Sequence, residues 1–263
     1  MSEAQKILIC GYSHCGTTIL KTIIGHIEEV EEIIDESAFI NTINKPTDKK
    51  YIMCKYPRVS FQGDNFFNSS KFKDYIKIFI IRNPLYVFSS LNKRYSHYKL
   101  SERHTIDEYI NTIKLFIKYK NISRKDIYTI KYEELFKNNF KEFKKILDDI
   151  GFKYDDIIFD NSKYINKSHS GVKLVDYKPK DTEHKIYRNW QINQSFEFQN
   201  DISKIDLTED QKEKIVNNDY VLQVYPDIKD IIMKNDISFI NSEGSDNVTK
   251  GEGNCHPKEV KGD

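Results

Sequence analysis

The stretch from Lys6 to Thr18, KILICGYSHCGTT, constrains the fold more than any other part of the chain. Its apolar run, Ile7 to Cys10, reads as a strand buried on both faces. The run stops at Gly11, and after four intervening residues comes Gly16-Thr17-Thr18, followed by the amphipathic run Ile19 to Ile27. A strand, a glycine-bounded loop and a helix in this order form the outline of a phosphate-binding loop. In such loops backbone N–H groups and the positive end of the helix dipole face an anion. The ATP-binding form carries Lys directly after its second glycine, and here that position is Thr17. The loop is shaped for an anionic group but lacks the residue that usually grips a β/γ-phosphate.

The rest of the chain continues the alternation. Glu32 to Asp35 reads as a short extended segment, and Tyr51 to Cys54 as a strand. Lys77 to Ile81 is apolar and β-branched, as a central parallel strand should be, and Asp126 to Lys131 reads as one more. Helices are expected near 84–97, 105–120, 138–150 and 208–217, with Gly151 as a stop for the third. Strands alternating with helices predict an α/β fold, a three-layer sandwich around a mostly parallel sheet. One domain is expected over 1–235, long enough for a sizeable core. Within it, 161–186 is polar and weakly periodic, the kind of surface excursion that shapes a binding site. From about 236 the chain is rich in Ser, Gly, Asn, Lys and Glu, and a disordered tail over 236–263 is expected.

Composition excludes several classes. Charged residues make up 31% of the chain and the net charge is +1, so the signs are mixed. Nothing in that balance points to nucleic acid, and any affinity for anions must come from local placement. Cys10, Cys15, Cys54 and Cys255 are irregularly spaced, with no disulfide framework or metal-binding pair. Cys10 and Cys54 sit in apolar runs and suit a core. No stretch is long and apolar enough to span a bilayer, and the N-terminus has no signal-peptide pattern. These features predict a soluble, cytoplasmic protein.

The second informative segment is Ile80 to Ser90, IIRNPLYVFSS. Arg82 falls at the C-terminal end of an apolar strand, where open α/β sheets place their ligands. Pro84 suits the first turn of the following helix. Ser90 is about two turns in. Arg82 offers a planar fork to a phosphate and Ser90 a hydroxyl. A structural reading stands beside this one, in which Arg82 closes a strand end and Ser90 is a small packed residue.

Taken together, Gly16-Thr17-Thr18, Arg82-Asn83-Pro84 and Ser90 resemble, in order and spacing, the motifs of sulfotransferases that use 3'-phosphoadenosine 5'-phosphosulfate (PAPS). Three further segments fit. Lys131 to Leu135, KYEEL, looks like that family's Tyr-Glu-Asp-Leu segment, and the helix ending in Asp149-Ile150-Gly151 resembles its Leu-Gly-ended helix. Ile186 to Trp190, IYRNW, is similar to the segment that closes over the nucleotide. The resemblance covers about residues 6–225. It implies a P-loop-like sulfotransferase fold in which His14, Cys15, Gly16, Thr17, Thr18 and Ile19 hold the 5'-phosphosulfate end. Arg82, Ser90 and Arg188 would hold the 3'-phosphate, and Tyr132 and Trp190 would lie at the adenine or ribose. Core packing at a strand end is the structural alternative for Tyr132. A sulfuryl donor has no terminal phosphate chain, so it needs neither the missing lysine nor a Mg²⁺ clamp, and no metal is expected.

The chain departs from the family where it has His14 in place of Lys or Arg. In the family that cation contacts the bridging oxygen and the sulfonate. An imidazole with an ordinary pKa of about 6.5 is only partly charged at neutral pH. Lys55, in a Met53 to Pro57 segment that resembles the family's Glu-Lys-Thr-Pro, can compensate, although Cys54 stands where the family has Glu. Solvent exposure is the structural alternative for His14. A base must take the acceptor's proton. Glu36 is the first candidate by position, Asp35 the second, and both also fit a merely acidic face with Glu28, Glu29, Glu31 and Glu32. A histidine is the further alternative for the base: His97 and His104 follow the Arg-Asn-Pro helix and could line the acceptor side, although they read more simply as surface residues.

The expected function is sulfuryl transfer from PAPS to a hydroxyl or amine of a small-molecule, carbohydrate or peptide acceptor. Two rivals remain: a non-catalytic PAPS-binding protein, and a divergent P-loop phosphotransferase. Neither the acceptor nor the oligomeric state is written in the sequence. The loops near 58–75, 95–105 and 161–186, which mix Lys, Tyr, Phe and Ser, are the expected acceptor lining.

Overall fold

The computed structural model describes residues 3–33, 46–57, 59, 63–95, 104–122, 124–160, 198 and 201–234. Five strands form one sheet: β1 (Gln5–Gly11), β2 (Val30–Glu32), β3 (Tyr51–Tyr56), β4 (Tyr75–Ile81) and β5 (Ile127–Lys131). Their spatial order is β2-β3-β1-β4-β5, and every neighbouring pair is parallel. The helices that accompany them include α1 (Thr17–Ile24), α2 (Asp64–Asn68), α3 (Pro84–Tyr95), α4 (Ile106–Asn121), α5 (Tyr132–Leu135), α6 (Lys141–Ile150), α7 (Glu209–Val216) and α8 (Asp219–Val224). The chain is helical again over 228–234.

The three central strands, β1, β3 and β4, are buried on both faces because helices cover both sides of the sheet, whereas the edge strands β2 and β5 are only partly buried. Ile7, Ile9, Met53, Ile78 and Ile80 point to one side, against Leu20, Ile23 and Ile24 of α1 and Phe143 and Leu147 of α6. Leu8, Cys10, Ile52, Phe79 and Ile81 point to the other, against α3, α4, α7 and α8. This is the three-layer α/β sandwich expected from the alternating pattern. After β1 the chain turns toward β2 at one edge, and after β4 toward β5 at the other. The C-terminal ends of β1 and β4 therefore flank the crevice where an open α/β sheet binds its ligand.

Local signals account for most boundaries. Thr105 and Glu108 form a reciprocal capping box on α4, and Thr208 and Gln211 form one on α7. Gly151 ends α6 in the left-handed conformation, with Phe152 N–H bonded back to the Leu147 carbonyl at 3.0 Å. The start of α6 differs from the expected 138, because Asn138, Asn139 and Phe140 all have positive φ (50°, 55° and 61°) and no helix can run through them. Of the extended segment expected at 32–35, Glu32 ends strand β2 (Val30–Glu32), and residues 34 and 35 lie outside the described residues. The segment expected to line the acceptor, 58–75, is described only in part. Its described part contains α2 and a 3-10 turn at Ser70–Phe72, and Phe66, Phe67 and Phe72 are buried in the core. Segment 161–186 and the tail from 236 lie outside the described residues.

Candidate functional site

The loop after β1 leaves the sheet at Gly11, where a Cβ would sit 2.3 Å from the Ile80 carbonyl oxygen of β4. Only glycine permits that approach. The loop then passes through His14 (φ 65°) to Gly16 (φ 95°), the residue that opens α1. A Cβ on Gly16 would lie 2.7 Å from the Tyr132 ring. No side chain caps α1, and its first turn holds no acid. The N–H groups at this end of the helix therefore face the crevice with a positive dipole behind them.

At the neighbouring strand end, Asn83 caps α3 by accepting the Leu85 N–H at 3.0 Å, and Pro84 takes the first helical position. Arg82 is only 8% exposed. Its guanidinium carbon lies 4.4 Å from the Tyr132 ring centroid and 5.6 Å from that of Tyr86. Its backbone carbonyl accepts the buried Tyr109 hydroxyl of α4. Two turns along α3, Ser90 faces the same crevice.

His14 joins the two halves. Its Nδ1 is 2.7 Å from Ser90 Oγ, and its backbone carbonyl accepts from Arg82 Nη1 at 3.4 Å. The ring is thus turned toward the Arg82–Ser90 side and is not free in solvent. Lys55, 3% exposed at the end of β3, donates to Thr18 Oγ1 at 2.6 Å and so lies against the start of α1. Thr17 is buried, whereas Thr18 and Ile19 are partly exposed. Cys15 is fully buried. Burial pushes its thiol up to about 12, against the opposing pull of the Arg82 charge, so it is an uncharged packing residue. Burial likewise pushes the Cys54 thiol up to about 12.

Tyr132 forms the floor between the loop and Arg82. On its outer side Phe198 stacks at 5.9 Å with an interplanar angle of 28°, 37% exposed. Sequence reasoning missed Phe198, which lies beyond a polar stretch without periodicity. His104 is buried edge-on against Tyr12, with centroids 6.0 Å apart, not at the surface as expected. Glu36, Asp35, Arg188, Trp190 and His97 lie outside the described residues. The structure therefore brings together His14, Cys15, Gly16, Thr17, Thr18, Ile19, Lys55, Arg82, Ser90 and Tyr132.

Among the described residues no group of His, Cys, Asp and Glu is arranged to hold a metal ion. Likewise, no described helix is long and apolar enough to cross a membrane.

No protein-family model matches the chain, and no curated protein matches it in sequence. Solved structures do. The chain is similar to mouse sulfotransferase SULT7A1 complexed with PAP, with a TM-score of 0.55 and 17% identity over 88% of this chain and 90% of that one. Looser likenesses are to the sulfotransferase domain of the Synechococcus PCC 7002 olefin synthase and to retinol dehydratase in a complex with retinol and PAP. The first has a TM-score of 0.45 and 9% identity, covering 75% of this chain and 98% of that one. The second has a TM-score of 0.42 and 9% identity, covering 89% and 82%. At this identity the first likeness shows the fold alone: the chain has the α/β sandwich seen in that sulfotransferase.

Proposed function

We propose that this chain, with its sulfotransferase fold, transfers the sulfuryl group of PAPS to a hydroxyl or amine acceptor. The observation that carries the reading is the His14 bridge. It places an uncapped, glycine-opened helix start and a buried strand-end arginine on one crevice. That arrangement suits a donor with phosphate at both its 5' and 3' positions. A single helix terminus contributes only about 0.3–1 kcal/mol when exposed, so a second anion site supplied by Arg82 is needed for firm binding.

In this reading the backbone of Cys15 to Ile19 and the Thr17 and Thr18 hydroxyls hold the 5' end. Arg82, Ser90 and Arg188 hold the 3'-phosphate, and Tyr132 and Trp190 hold the base. The acceptor oxygen or nitrogen attacks sulfur in line. The bond from sulfur to the bridging oxygen breaks, and its electron pair leaves with adenosine 3',5'-bisphosphate (PAP). Glu36 takes the acceptor's proton. Lys55 and His14 offset charge on the sulfonate and the leaving oxygen, so the acceleration comes chiefly from positioning and electrostatics. The acceptor is a small molecule, a carbohydrate or a peptide.

Calorimetric titration with PAP, with and without Mg²⁺, tests the donor site. Metal-independent micromolar binding is the expected result. Tight Mg-ATP binding with no PAP binding would overturn the reading in favour of a phosphotransferase. A second reading, a PAPS-binding protein without turnover, is favoured by the engagement of the His14 ring with Ser90 and by Cys54. Label transfer from PAPS into a panel of acceptors separates the two. The catalytic reading loses if nothing is labelled and His14→Lys restores transfer.

A further inference from the structure

Glu133 stands directly behind Arg82 and belongs to none of the groups assigned to the donor. β4 and β5 are paired in register up to Ile81 and Lys131. Two residues further along each chain, the Asn83 N–H donates to Glu133 Oε1 at 2.7 Å. The carboxylate thus continues the ladder past the strand ends, where no backbone partner is in register. Its other oxygen, Oε2, accepts the Tyr225 hydroxyl at 3.4 Å. Tyr225 follows α8 and is buried in the core. Glu133 is partly buried, and the loss of hydration pushes its carboxyl above the ordinary range, against the opposing effects of the Asn83 N–H and the Arg82 charge. A carboxylate kept at some cost in such a place holds something in position.

We propose that Glu133 is the positioning residue of the 3'-phosphate site: it fixes the Arg82–Asn83 strand exit, and through Tyr225 it ties that exit to the C-terminal helices. The inference rests on the PAPS reading above. With the Asn83 N–H anchored by Glu133 and the Arg82 carbonyl anchored by Tyr109, the peptide plane between them is held from both sides. The direction in which the Arg82 side chain leaves the strand is then set before a ligand arrives, and preorganisation of this kind raises affinity. Glu133 itself need not touch the nucleotide.

A double-mutant cycle tests this with the whole chain and PAP as the probe. Glu133→Leu removes the acceptor, and Arg82→Gln removes the group that Glu133 positions. If one acts through the other, Glu133→Leu weakens PAP binding about tenfold in the wild type and less than about twofold in the Arg82→Gln background. A purely structural role would weaken binding equally in both, and that result overturns the proposal, as does an unchanged affinity of Glu133→Leu. Glu133→Gln keeps an oxygen for Asn83 and should retain affinity within about threefold. If Glu133→Leu does not fold, Tyr225→Phe takes its place in the cycle, with a smaller loss that again must vanish in Arg82→Gln. Failure of the wild type itself to bind PAP overturns the donor reading and this inference with it. Binding by the wild type without coupling overturns the inference alone.

Discussion

Arg82 does three things at once: its guanidinium lies over Tyr132, its Nη1 donates to the His14 carbonyl, and its own carbonyl anchors Tyr109. Lysine can reproduce the charge but neither the planar fork nor the stacking. Arg82→Lys should therefore weaken PAP binding by roughly 10–100-fold, the value of one or two charge-assisted hydrogen bonds, while the melting temperature barely moves. Calorimetry together with a thermal melt checks this, and an equal loss in both would make Arg82 a structural residue. Gly16 is constrained differently. Its φ of 95° is hostile to any side chain, and a methyl group there would press on Tyr132 at 2.7 Å. Gly16→Ala should cost about 1–3 kcal/mol of stability and also lose PAP affinity, because the opening of α1 and the Tyr132 floor shift together. Retained affinity in a destabilised protein would mean that the loop does not hold the donor.

The elements most legible in the sequence are those whose signals are local. β1 and β4 are apolar runs, α4 and α7 carry capping boxes, and α6 ends at a glycine. The Asn138 to Phe140 turn was not legible, because three successive left-handed residues are selected by tertiary packing. Phe140 is held there between Phe136 at 5.5 Å and Phe159 at 4.7 Å. In the site, the motif residues around His14 and Arg82 could be read from spacing. The contact between His14 and Ser90 could not, since those residues are 76 positions apart and only the β1–β4 pairing brings them together. Lys77 was equally hidden, as it reads as the first residue of an apolar strand. It is in fact fully buried within β4, bonded to Asp126 at 3.0 Å and to the Tyr75 carbonyl at 2.9 Å. Arg124 meets the same Asp126 through Nε at 2.8 Å and Nη2 at 2.6 Å. Asp126→Asn leaves the Lys77 charge buried without its counter-ion and should cost about 3 kcal/mol. Adding Lys77→Met, which removes the charge but keeps the volume, should recover most of that loss. Chemical denaturation of the two variants checks this, and a double variant no better than Asp126→Asn alone would show that Arg124 is the partner that matters.

Charge is divided between the two ends of the sheet, and the division predicts how the whole molecule responds to pH. At the end away from the crevice, Asp64 is held below its ordinary 3.8 by hydrogen bonds from Lys118 and Tyr119. Asp126 is held below the same value: burial works to raise it, but the bonds from Arg124 and Lys77 together outweigh burial. Both carboxylates are better satisfied in the native state than in the unfolded chain. Their contribution is therefore present above pH 3.8 and is lost as pH falls through the depressed native values. Glu133, at the crevice, has the opposite sign. Burial raises it above 4.5, so between 4.5 and the raised value the native state binds more protons than the unfolded one. Its effect is a loss of stability as pH rises through that window. The stability of wild type relative to Glu133→Gln should accordingly decline as pH is raised from 4.5 and be flat below it. Below 3.8 both proteins should weaken in parallel, because Asp64 and Asp126 are common to them. Melting temperatures of the two proteins across pH 3–8 give the comparison, and only the slope matters, since the substitution also alters the bond to Asn83. A difference constant across the whole range would mean that Asn83, Tyr225 and Arg82 together offset the burial of Glu133. The sheet would then carry no proton-linked cost at its ligand end. PAP should steepen the decline if its 3'-phosphate sits beside Arg82, because added negative charge near Glu133 raises its carboxyl further.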